Sequence, residues 1–247
     1  VLSLAGALLA AQAPAAKSSP AAPASIVAKS DFVLTRFDFD EKQTLLATLS
    51  TERQLALWEV RSDKLRWGDD VEKVGFSSIE VALTDKLVIG ACAQSTYRAL
   101  RLKDAENDVT RALPNFDRAM TSAAIDPEMR WMWFGSEAST IVRCDLAQAG
   151  VGRGFELGHS GTTAMTLTPD GELLFVAGRD KSIRAIEPRT GEIDGKRVFE
   201  GLAGPAFALV FDAKGALLAS GGEDGSVRVW TAANGKAKQS FVGHPTV

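Results

Sequence analysis

The chain has 247 residues, 45% of them hydrophobic, and sets 28 basic against 31 acidic side chains for a net charge of −3. That is ample for a large core, and the near-neutral balance argues against a global electrostatic pull on nucleic acid or an anionic membrane. Two cysteines are too few for a disulfide framework.

Residues 1–13 (VLSLAGALLAAQA) make an apolar run that ends in Ala11-Gln12-Ala13, a small-x-small triplet. This reads as the core and cleavage site of a secretory signal peptide and predicts export to a periplasmic or extracellular space. A cytoplasmic location is the alternative, with the same run serving as an alanine-rich linker or an amphipathic helix. The basic leader and initiator Met are missing, which places residue 1 inside a longer reading frame on this reading. The run is too short to span a bilayer. Residues 14–25 (PAAKSSPAAPAS) are rich in Pro, Ala and Ser, cannot pack a core, and are expected to be a disordered tether.

From residue 26 the pattern changes to short apolar runs closed by glycine- and aspartate-bearing turns. A first unit, 26–67, predicts strands at 32–39, 44–49, 54–60 and near 65–67. A second, 68–112, keeps Ile79, Val81 and Leu83 on one face. It continues through 87–90 and 97–102 to a polar outer turn at 104–108. A third, 113–158, carries Trp131-Met132-Trp133-Phe134 in its second strand, read as a bulky core layer with an aromatic binding platform as the alternative. Its glycine-rich stretch 147–154 lacks the strand–helix context of a phosphate cradle and reads as a flexible outer connection. The fourth and fifth units are 159–201 and 202–243, and a sixth opens at His244.

The stretch 204–244 is the most regular. Four short strands separated by turns at 212–215, 221–225 and 233–236 predict an antiparallel meander. A lone four-stranded sheet cannot bury both faces and needs copies stacked on it. The copies are present. Trp230, Ile186, Cys144, Leu100 and Trp58 hold equivalent places, at spacings of 44, 42, 44 and 42 residues. Four strands per unit at this period predict an all-β fold, a β-propeller of stacked blades.

With these residues in view, the chain resembles the WD40-repeat family. The resemblance rests on Gly158-His159 and Gly243-His244, the turns at 168–171 and 212–215, the tight-turn aspartates Asp180 and Asp224, and the strand-end tryptophans Trp58 and Trp230. It covers about residues 27–247 and is most specific in 158–247. It implies a ring of six to eight blades, so that five blades and the start of a sixth point to a chain that continues. It also implies that each repeat His bonds the tight-turn Asp and bridges toward a strand-two Ser or Thr and the strand-three Trp. No unit has the complete set. Asp224, Ser220 and Trp230 meet Leu202 where His is expected. His159 and Asp180 meet Val176 and Ile186. Thr48 and Trp58 have Glu52 for Asp.

Catalytic chemistry finds no foothold. The two histidines, His159 and His244, share one repeat position and read as structural, and no nucleophile–base pair accompanies them. There is no CxxC or HExxH, and the Asp224-Gly225 and Asp180-Lys181 turns lack the alternating ligands of a calcium loop. Residues 191–196 have the wrong spacing for a phosphate-binding loop. Cys92 and Cys144 fall at different repeat positions and read as free thiols.

What remains is surface. On this resemblance the residue in the place before the tight-turn acid points toward the face that family members use to bind peptides and proteins; read off the repeat frame it is Thr51, Ala93, Glu137, Arg179 and Glu223. Their mixed charges suit a polar or charged protein partner. The resulting expectation is a non-catalytic protein-interaction scaffold without cofactor or metal, with nucleic acid and membrane insertion disfavoured. Two alternatives stand beside it. One is a regulatory or docking propeller of a larger enzyme or electron-transfer protein. The other is an intracellular subunit of a ribosome-biogenesis-type complex.

Overall fold

A computed structural model of the chain describes residues 34–39, 44–50, 54–61, 64–70, 81–83, 87–91, 96–101, 108–112, 120–128, 130–145, 152–158 and 161–243. Residues 1–25, Thr51, Glu52, Cys92, Ala93, His159 and His244 lie outside the described residues.

The strands form five antiparallel sheets in simple meander order. The first holds β1 (Leu34–Phe39), β2 (Leu45–Ser50), β3 (Gln54–Glu59) and β4 (Lys64–Asp70). The second holds β5 (Val81–Leu83), β6 (Leu87–Ala91), β7 (Thr96–Arg101) and β8 (Asp108–Ala112). The third holds β9 (Met120–Ile125), β10 (Trp131–Ser136), β11 (Thr140–Asp145) and β12 (Gly152–Glu156). The fourth holds β13 (Thr162–Leu167), β14 (Leu174–Gly178) and β15 (Ile183–Ile186). The fifth holds β16 (Ala206–Phe211), β17 (Leu217–Gly222), β18 (Ser226–Thr231) and β19 (Ala237–Val242).

The five anchor positions sit in one register. Trp58 pairs with Leu46, Leu100 with Val88, Cys144 with Met132, Ile186 with Leu174, and Trp230 with Leu218. The partner lies twelve residues upstream every time, so the sequence period is a period of strand pairing. First strands meet first strands: β5 packs on β1 and β9, and β13 packs on β9 and β16. Threonines tie three of them together. Thr121 Oγ1 donates to the Thr162 carbonyl and Thr163 Oγ1 to the Ala206 carbonyl, both at 2.5 Å.

Apolar side chains fill the seams between sheets. Trp133, Ile141 and Leu157 of the third blade meet Met165, Leu174 and Ile186 of the fourth. Phe175 and Ala185 of the fourth meet Leu218 and Trp230 of the fifth, with Phe199 edge-on to both Phe175 and Trp230. Met132, Trp133 and Phe134 are buried, as a bulky core layer requires, while Trp131 at the head of the strand is partly exposed. Leu202, standing where a His was expected, packs on the fourth–fifth seam as an apolar filler.

Two local readings are corrected. Gly152, Arg153 and Gly154 are not an outer loop but β12, paired with β11 through Cys144, Arg143 and Val142. Glycine runs signal turns only where the backbone needs a left-handed conformation, and Gly154 is not among the glycines with positive φ. The fourth blade has three strands where a fourth was expected. Beyond Ile186 only Ile193 bridges back to it. The Asp194 carboxylate takes the Lys196 N–H at 2.8 Å and the Arg197 guanidinium, and the Asp194 carbonyl takes the Arg197 N–H. These bonds turn residues 194–197 instead of letting them extend along β15.

Candidate functional site

The tight turns between second and third strands are built by one device, repeated 44 residues apart. Asp180-Lys181-Ser182-Ile183-Arg184 and Asp224-Gly225-Ser226-Val227-Arg228 share Asp, Ser and Arg at alternate positions. Asp224 Oδ1 accepts the Ser226 N–H at 3.1 Å and its hydroxyl at 2.6 Å, while Oδ2 accepts from Arg228 at 2.8 Å. Asp180 does the same with Ser182 at 3.2 and 2.6 Å and with Arg184 at 3.1 Å. Burial works to raise the Asp224 pKa, but the bonds from Ser226 and Arg228 outweigh it and hold the carboxyl at about 2. These partners anchor both turn aspartates, and at Asp224 they do so in a blade where Leu202 stands in the place of the histidine. Sequence reading passed over the Ser and Arg because it looked for a His; the alternating Asp-x-Ser-x-Arg, present twice at the repeat distance, was the available signal.

The expected tryptophan staples are formed. Trp230 Nε1 donates to Ser220 Oγ at 2.9 Å in a fully buried pair, and Trp58 Nε1 donates to Thr48 Oγ1 at 2.9 Å. In the third blade Cys144 replaces the tryptophan. Its thiol is free and buried, and burial pushes its pKa up to about 12. The indole of Trp133 instead reaches across to the Pro188 carbonyl of the fourth blade at 3.0 Å.

These turns position the face residues. The Arg179 N–H bonds the Gly161 carbonyl at 2.9 Å and the Glu223 N–H bonds the Pro205 carbonyl at 2.9 Å, so each residue is clamped to the chain entering its own first strand. Gly161, at φ +61°, is wedged between the Glu137 carbonyl and the Arg179 side chain. A Cβ there would lie 2.9 Å from that oxygen. The close approach lets Arg179 reach Glu137 of the preceding blade at 3.3 Å, with both side chains about half exposed (52% and 53%). Glu223 is exposed at the equivalent place in the fifth blade, its Cβ packed beside Gly204. The structure thus joins Glu137 and Arg179 as one cross-blade pair and sets Glu223 in the matching turn. Among the described residues, no three His, Cys, Asp or Glu side chains gather as a metal site, and no helix is long and apolar enough to cross a membrane.

Stacked four-stranded meanders with a mixed-charge rim at the second-to-third-strand turns define a blade-repeat protein of the propeller class. Residues 153–186 and 196–231 match the WD40 family model (WD domain, G-beta repeat). The chain is also similar to the U3 small nucleolar RNA-associated protein 13 of Saccharomyces cerevisiae, 35% identical over 82 residues, or 33% of this chain and 10% of that one. Transducin beta-like protein 3 of Rattus norvegicus is 36% identical over 86 residues, or 34% of this chain and 10% of its own. The chain spans about a tenth of the length of these relatives. Residues 153–186 and 196–231 are thus two WD40 repeats.

Proposed function

We propose that this chain is a non-catalytic scaffold that binds a protein partner through the face bearing Glu137, Arg179 and Glu223. The observation that carries the reading is the Glu137–Arg179 pair, which bridges two blades while remaining half open to solvent. An exposed pair of this kind adds little to stability. Its charges can be exchanged for those of a partner, which sets specificity and association rate. Thr51 and Ala93 occupy the corresponding sequence positions in the first two blades. Affinity capture with the intact chain, compared with an Arg179→Glu variant, tests the proposal. Loss of a partner in the variant supports it, and unchanged capture removes Arg179 from the binding face.

A second reading takes support from the similarity to a U3 small nucleolar RNA-associated protein: an intracellular subunit of an RNA-processing assembly. The apolar run 1–13 favours export instead. Fractionation separates them, since a secreted product lacking residues 1–13 excludes the intracellular subunit. Co-sedimentation of the chain with a small nucleolar ribonucleoprotein excludes the exported scaffold.

A further inference from the structure

Away from that face, at the outer end of the seam between the third and fourth blades, arginines and aromatic rings alternate. On β10–β11–β12 the pairs Trp133–Arg143, Arg143–Arg153 and Ile141–Phe155 put these side chains on one face of the sheet. Trp133 and Ile141 form the dry part of the seam with the fourth blade. Further out, the Arg130 guanidinium carbon lies 5.3 Å from the Trp131 ring centre and that of Arg143 lies 4.2 Å from it. Arg143 also lies 5.8 Å from the Phe155 ring centre, and Arg153 lies 5.4 Å from it. The order is Arg130, Trp131, Arg143, Phe155, Arg153. The fourth blade fixes the ladder from the other side: Arg143 donates to the Arg189 carbonyl at 3.1 Å, and Gly191 lies against the Phe155 ring.

The ladder is short of anions. Among the described residues none of Arg130, Arg143 and Arg153 has a carboxylate within salt-bridge distance. The nearby acids are engaged elsewhere. Asp126 accepts the backbone N–H groups of Arg130 and Trp131, Glu187 pairs with Arg189 and Thr190, and Asp145 is buried with a partner of its own. Exposed Glu128 remains beside Asp126. The Arg143 Nε is buried and meets no acceptor among the described residues. Burial, and then the charge of Arg153, lower the Arg143 pKa, and the more distant Glu187 and Asp145 offset this only in part.

We infer that this ladder is a second docking surface, on the rim rather than the ring face, for an acidic segment of a protein partner. Contact with the rings steadies the guanidiniums, and exposed Arg130 and Arg153 keep their N–H forks for a carboxylate while Arg143 gives one N–H to the Arg189 carbonyl. Holding the forks in advance reduces the ordering cost of binding. The ladder spans up to roughly 20 Å, which an extended chain crosses in about six residues. Single-stranded nucleic acid is the poorer fit, because it needs open rings for base stacking. Here each ring is approached by two guanidiniums, and Phe155 is buried.

The test is fluorescence anisotropy of the 247-residue chain with labelled hexaglutamate, hexaglutamine and oligo-uridylate. Salt-sensitive binding of hexaglutamate, weakened tenfold or more in Arg130→Gln/Arg153→Gln and unchanged in Lys214→Gln, an exposed lysine on neither surface, is expected. Both substituted ladder side chains are exposed, and Arg153→Gln alone gives a second variant expected to weaken binding severalfold should the double variant fold poorly. Equal binding of hexaglutamate and hexaglutamine, retained affinity in the folded ladder variants, or tighter binding of oligo-uridylate would each overturn the inference.

Discussion

Replacing Asp224 by Asn tests whether the tight turns rest on charge. The amide can still accept from Ser226 but no longer balances Arg228, whose side chain and that of Asp224 are each only 15% exposed. A carboxyl held at about 2 against an ordinary 3.8 corresponds to at most about 2.4 kcal/mol of stability at neutral pH. Solvent at the blade edge screens part of this, so we expect about 1–2 kcal/mol. The folded pKa is depressed, so this stability is complete above the unfolded value. It is lost as pH falls from about 4 through about 2, with roughly half remaining near pH 3. Urea unfolding of both proteins across this range reads the difference directly. If the gap between wild type and Asp224→Asn is the same near pH 2 as at pH 7, the turn is not held by the ionised carboxylate and the reasoning fails.

Ser220→Ala strands the buried Trp230 indole N–H and is expected to cost about 1–3 kcal/mol in equilibrium unfolding followed by tryptophan fluorescence. Gly135→Ala drives a Cβ to 2.5 Å from Thr162 Cγ2 and 2.6 Å from Met165 Cε, so overpacking of the third–fourth seam should cost about 1–3 kcal/mol, visible as a lower Tm. In a Cys92→Ser background, Cys144 should resist alkylation near pH 8 while the chain is folded and react on unfolding, because burial keeps its thiol protonated. Arg179→Glu should change stability by no more than about 0.5 kcal/mol, since the Glu137 pair is half exposed, and a larger loss in urea would make that pair structural.

The blade frame was readable because strand pairing and side-chain alternation both follow the chain locally. Trp58, Leu100, Cys144, Ile186 and Trp230 mark the same pairing position although only the two tryptophans share a residue type, so the spacing carried more of the message than identity did. Two of the expected bonds, Trp230 to Ser220 and Trp58 to Thr48, follow from the same local geometry. The Arg179–Glu137 pair was less legible. Each residue was placed on the face, but their meeting depends on Gly161 letting adjacent blades approach, a contact between residues 42 apart. The arginine ladder was hidden for a related reason. Arg130, Arg143 and Arg153 lie in different strands, and only pairing across β10, β11 and β12 brings them to common rings. The missing fourth strand of blade four turned on Asp194, whose side chain competes for the backbone donors a strand would have used.

The shared pairing register has a consequence for how such a chain can grow. A blade cut at equivalent turns and inserted elsewhere brings its own register with it, because the anchor and its partner twelve residues upstream travel together. Only the side chains at the two new seams must be refitted. Duplication or loss of whole blades is therefore a smaller structural step for this architecture than insertion of a single residue inside a strand, which would turn the side chains that follow in that strand to the wrong face.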